Sequence, residues 1–198
     1  ETESNGITDS GALTVGGTSS FATSGANANI VLDTTTNVFT GAVALSTQGA
    51  SGNVTLIQGA STNMRFATSG VGGNLTVTTG SGSEVAQTGV LTVDGATDIT
   101  AQGGAENINL NTQENVLTGA VSLDGHNVRL INSKALELGE LASKALILTA
   151  RDAVTQSASN KIKSDGSSTI TAQNIAGNIN YDITLTNTSN DFYDDSNV

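Results

Sequence analysis

Short runs in which apolar and polar residues alternate recur along the whole chain. Leu13-Thr14-Val15, Val54-Thr55-Leu56, Leu75-Thr76-Val77, Leu91-Thr92-Val93 and Ile108-Asn109-Leu110 are examples. A period of two over four or five residues is the signature of a strand with one face turned to a core. The runs are bounded by Gly, Asn, Ser and Asp, which supply turn chemistry. An antiparallel sandwich shares this spacing, so the strands alone do not decide the architecture.

A long internal repeat decides it. Residues 11–46 align without a gap over residues 89–124 at an offset of 78, with 17 identities in 36 positions. The matches include Asn29/Asn107, Asn37/Asn115, Gly25/Gly103, and Thr40-Gly41-Ala42-Val43 over Thr118-Gly119-Ala120-Val121. A third copy starts near Ser168 and reaches Asn190-Asp191-Phe192, which echoes Asn37-Val38-Phe39. The chain is therefore expected to be one continuous unit over residues 1–198, with long repeats at about 11–88 and 89–167 and a partial copy at 168–198. Close repetition of this kind belongs to solenoids rather than sandwiches. The predicted fold is all-β, a single-stranded parallel β-helix. A repeat of 78 would hold about four coils of roughly 20 residues. About ten coils at ~4.8 Å each would make a rod on the order of 45–50 Å long.

Composition agrees with a thin interior. Aromatic residues are 3% and charged residues 13%, with 23 Gly and no Pro, Cys or Trp, so small aliphatics must fill the core. Gly25/Gly103 and Gly41/Gly119 are expected at corners with positive φ. Asn29/Asn107 and Asn37/Asn115 are candidates for stacked amide ladders, or for simple turn positions. Residues 129–163 hold six of the seven basic residues. There Leu138, Leu141, Ala142 and Ala145 fit helical spacing, but the matching stretch of the first copy is rich in Gly and Thr, so coils with a different surface are expected.

The net charge of −11 argues against a nucleic-acid partner, which needs clustered cations. No apolar run approaches the ~18 residues of a membrane span, so no membrane insertion is expected. The start at Glu1-Thr2-Glu3-Ser4-Asn5, without Met or a signal sequence, is read as that of an excised or processed piece.

Chemistry is sparse. His126, the single histidine, follows Asp124-Gly125 and is expected in a surface turn. No Cys pair or His cluster suggests a transition metal, and no cofactor, metal or catalytic residue is assigned. Asp191, Asp194 and Asp195 could hold calcium weakly, although an exposed acidic turn is the favoured reading. Asp94 and Asp98 are the nearest approach to a glycosidase carboxylate pair, but their first-copy equivalents are Gly16 and Ser20. Aromatic platforms for sugars would have to come from Phe21, Phe39, Phe66, Phe192, Tyr181 or Tyr193. No enzyme activity is expected.

The strings NVFTGAVALS and NVLTGAVSLD, followed by NVTLI or NVRLI and then GGNLTVTTGSGSEVAQTGVLTVDG, resemble the large repetitive exoproteins of the filamentous haemagglutinin type. The likeness covers roughly residues 11–193. It implies a right-handed parallel β-helix, two-partner export through an outer-membrane pore, display at the bacterial surface, and roles in adhesion, aggregation or biofilm formation. It implies no catalytic residues. The expected function is a structural shaft that projects a distal region, with host or bacterial receptor or glycan left open. Alternatives are a carbohydrate- or receptor-binding module using Arg129, Lys134, Lys144 and Arg151, an ice-binding Thr array at Thr14, Thr76, Thr78 and Thr92, and self-association through open coil ends.

Overall fold

The computed structural model describes residues 5–59 and 61–192. Each strand is too short to bury its apolar side against a sequence neighbour, and instead pairs in parallel with the equivalent strand one turn along. The result is a parallel β-solenoid. One ladder climbs through Ile7, Ile30, Val54, Leu75, Thr97 and Val121, in steps of 23, 24, 21, 22 and 24 residues. It continues through Leu141 and Ile162 to Asp191, about eight turns in all. At ~4.8 Å per turn the described rod rises about 38 Å.

A full turn has three short sides. Leu75–Thr79, Val85–Gln87 and Leu91–Val93 form one, before Thr97 begins the next. On Leu75–Thr79 the alternation works as the sequence predicts: Leu75, Val77 and Thr79 are buried, while Thr76 and Thr78 face outward. The inward residues of successive turns form a single aliphatic cluster, with Phe39, Met64 and Phe66 as its bulkiest members.

The turns are wider than the expected 20 residues, because three sides and three corners need 21–24. Four coils per 78-residue repeat is therefore corrected to three turns and one side. Three turns above Ile30 lies Thr97, and Ile108 sits one side further on, in the other large sheet. Likewise Val43 belongs to the second sheet and its equivalent Val121 to the first. Each repeat thus rotates the surface by about a third of a revolution.

Local bonding follows the repeat through this rotation. The N–H of Ile7 donates to Asn29 O at 2.8 Å, Val85 to Asn107 O at 2.9 Å, and Val154 to Asp182 O at 2.9 Å. Inside the corners Oδ1 of Asn37, Asn115 and Asn190 accepts the backbone N–H of Leu13, Leu91 and Ile162, at 2.8, 3.0 and 2.9 Å. These amides, buried at Asn37 and Asn115 and partly buried at Asn190, hold each corner to the turn beneath it and satisfy groups that would otherwise be orphaned.

Because equivalents lie on different sides, Asn29 does not stack on Asn107, nor Asn37 on Asn115. Amide ladders form with other partners. Oδ1 of Asn29 accepts the N–H of Asn53, Asn53 that of Asn74, and Asn74 that of Ala96, at 2.8–2.9 Å. A second ladder runs through Asn63, Glu84, Asn107 and Asn127.

The glycine expectation divides. Gly103 has φ +120°, but Gly25, Gly41 and Gly119 do not have positive φ, and Asn27 takes the left-handed conformation at φ 64° in the first copy. At Gly41 a Cβ would stand 2.4 Å from the Gly17 backbone, and at Gly119 it would stand 2.4 Å from Gly95 O. Their role is close approach between turns.

Residues 129–163 are coils, as expected, but tighter ones. Asn127–Asn132 lies under Ala145–Ala150, an 18-residue step. Leu136–Ser143 bends to carry both Val154–Gln156 and Ile162–Ser164. The helix-like spacing has a strand explanation. A bulge at Gly139-Glu140 shifts the register, so Leu138 and Leu141, three apart, both point inward.

Candidate functional site

The first side of the rod presents two outward columns. Thr55, Thr76, Asp98 and Ser122 make one; Ile57, Thr78, Thr100, Asp124 and Ala142 make the other. Thr therefore gives way to acid as the rod is climbed. Thr76 and Thr78 have Thr55 and Thr100 as neighbours, but Asp98 and Ile57 fill the remaining places, while Thr14 and Thr92 lie on other strands. The four candidate Thr residues do not form one array.

Asp98, Asp124 and Glu140 line a shallow depression of about 250 Å³. The Asp98 carboxyl is pushed above its ordinary range, first by partial desolvation and then by the charges of Glu140 and Asp124. Sequence reading missed this trio because its members are brought together by register across turns; Asp94, the partner suggested by proximity, sits instead at the preceding corner. Among the described residues no group of three His, Cys, Asp or Glu is arranged as a metal-ligand set.

Around the corner lies a larger open depression of about 850 Å³, which shares Thr100, Asp124 and Ala142 with the first and adds His126, Lys144 and Lys163. His126 occupies the bend between Val121–Asp124 and Asn127–Asn132. Its Nδ1 meets Gly104 O at 3.0 Å and its backbone N–H donates to Glu106 O at 2.8 Å, so the imidazole is a strut in the corner. Beneath it the buried Glu106 carboxylate accepts the N–H of Gly82 at 2.7 Å and of Ala105 at 2.8 Å. These two backbone donors, Gly82 first, hold it below the usual carboxylate range. Glu106 had no signal in the sequence beyond its corner position.

The four basic residues proposed as a patch do not converge, and Lys134 lies in the bend after Asn127–Asn132. Lys144 and Arg151 bracket Ala145–Ala150 at opposite ends, with Arg129 on the strand below. Arg151 is clamped by Glu114, Nη2 to Oε1 at 2.7 Å and Nε to Oε1 at 3.1 Å. Phe39 and Phe66 are core residues, and Phe21 packs edge-on to Phe39 with ring centroids 5.8 Å apart, so these rings are not sugar platforms. Asp191 continues the first ladder beside Lys163; Tyr193, Asp194 and Asp195 lie outside the described residues.

A family model described as repeats of unknown function (DUF5649) matches residues 2–46, 51–124 and 125–198. No curated protein and no solved structure matches significantly. The matched segments span nearly the whole chain, and the two longer ones, 74 positions each, abut without a gap.

Proposed function

The chain belongs to the DUF5649 repeat family, and from its coil-on-coil architecture we propose that it is a shaft segment which holds other parts of an exported surface protein at a distance. The observation that carries this reading is the unbroken ladder from Ile7 to Asp191 around one aliphatic core. Such a rod transmits position because each turn is bonded to the next, and it can fold by adding turns in sequence. A Cys-free chain with a narrow core also suits passage through an outer-membrane pore before folding. The resemblance to haemagglutinin-like exoproteins supports adhesion or biofilm formation as the context. Adding one 78-residue unit to the full protein should lengthen the projection by about 16 Å, three and a third turns, without changing what its distal region binds. Electron microscopy of surface-displayed protein with and without the unit tests this; unchanged reach refutes the shaft reading.

A second reading draws on the two adjoining depressions, where Asp98, Asp124, His126 and Lys144 offer hydrogen-bonding partners to a polar ligand such as a glycan. The acids are not constants of the repeat, since Asp98 and Asp124 stand over Ser20 and Ser46, so we take them as local surface charge without hydrolytic chemistry. A glycan array together with a reducing-end assay separates binding, hydrolysis and neither.

A further inference from the structure

The corner that follows the first side shortens as the rod is climbed. It spans residues 102–107 after Thr97–Ala101, only 125–126 after Val121–Asp124, and Lys144 alone after Leu136–Ser143. The larger depression is the step left by that shortening. Its centre, at Asp124, His126, Ala142 and Lys144, opens sideways with a turn above it and a turn below. Backbone bonds stack the back wall: the N–H of His126 donates to Glu106 O at 2.8 Å and that of Lys144 to His126 O at 2.7 Å. In the adjoining outward column Ala142 lies between Asp124 and Lys163, and its methyl leaves a gap between an acid and a base. Lys163 pairs with Asp165, Nζ to Oδ1 at 3.1 Å. Lys144 has neither an ion pair nor a side-chain hydrogen bond among the described residues. Ser143 also lines the depression, 9% exposed and with its Oγ unpartnered, an orphan of the kind that a bound polar molecule satisfies.

The chemistry of an occupant follows from this lining. The volume of about 850 Å³ falls within the ~300–1,000 Å³ of small-ligand sites. Among the described residues no Phe or Tyr lines it, so a neutral sugar has no ring to stack on. Affinity then has to come from charge-assisted hydrogen bonds. A chain of net charge −11 repels anions at large, so an anion is held only where a cation is placed for it. We propose that this corner binds a short oligosaccharide carrying a carboxylate, an assignment that rests on the glycan reading of the two depressions. Lys144 holds the carboxylate and Asp124 accepts hydroxyls of an adjoining ring.

Isothermal titration calorimetry on the full chain tests this with three probes. A galacturonic acid tetramer carries carboxylates along its length, sialyl-lactose carries one at its end, and a galactose tetramer is neutral. At least one acidic probe should bind one-to-one and at least about tenfold tighter than the neutral tetramer, and which of the two does so identifies the source of the carboxylate. Lys144→Gln should weaken that binding at least about tenfold, whereas Lys144→Arg should retain it. Ala142→Gln, at a partly exposed position, should fill the gap and weaken binding without changing the melting temperature. Arg129→Gln, on the neighbouring strand, should bind like the parent. Equal affinity for the neutral tetramer overturns the carboxylate assignment and leaves the glycan reading. Binding lost equally in Arg129→Gln and Lys144→Gln overturns the assignment too, because attraction is then diffuse. If no probe binds, both the assignment and the glycan reading fall, and the shaft reading stands.

Discussion

A single methyl group decides whether two turns can meet at Gly41 and Gly119, where the backbone of the turn below lies too close for any Cβ. Neither residue needs a positive φ, so Gly119→Ala is permitted by its dihedrals and costs stability only through crowding, about 1–3 kcal/mol. Gly16→Ala, where nothing lies within 4 Å, should be neutral or slightly stabilising; urea unfolding of both variants checks the contrast. Asn115 serves the backbone of Leu91, Leu110 and Ile131 from a buried position. Asn115→Ala should lose at least about 2 kcal/mol by stranding those groups. For Asp98 the folded carboxyl titrates above its unfolded value. The folded state then binds the extra proton, and stability falls as pH rises from the ordinary carboxylate range through the raised value. Asp98→Asn should therefore raise the melting temperature at pH 7 and leave it nearly unchanged at pH 3. The inward and outward assignment of such residues was legible from alternation; which carboxylates face one another was not, because that depends on how many residues close a turn.

A turn is the unit that can be removed. Deleting residues 54–74 joins Asn53 to Leu75 and sets Leu75 over Ile30 in the same inward place that Val54 held. The shortened chain should melt cooperatively with a denaturant slope reduced roughly in proportion to the lost surface. Deleting residues 54–63 removes one side and leaves the ladder without a partner, so it should abolish cooperative melting. Circular dichroism with urea titration distinguishes the two. Short strands, corner residues and the repeat were readable in the sequence. The 18-residue turn was not, because the bulge at Gly139-Glu140 mimics helical spacing and one strand bends to serve two sides.

At the scale of the whole rod, the offset of 78 is not a whole number of turns, so identical sequence motifs face different directions. Ile30 and Ile108 occupy different sheets, and every third repeat should return a motif to its starting side. Repeat matching alone could not show this, since an alignment carries no angle. Backbone hydrogen bonds that run along the rod from turn to turn hold the whole molecule together. The most direct test is a pair of spin-label distances on the first side, in a chain whose lack of native Cys leaves no competing thiol. Thr8, Val31, Thr55, Thr76, Asp98 and Ser122 form one outward column. Labels at Thr8→Cys and Ser122→Cys span five turns and should lie about 24 Å apart, and labels at Val31→Cys and Ser122→Cys, four turns, about 19 Å. A difference of one turn spacing between two narrow distributions is the predicted result. Equal distances, or broad distributions with no step between them, would contradict turn-on-turn stacking.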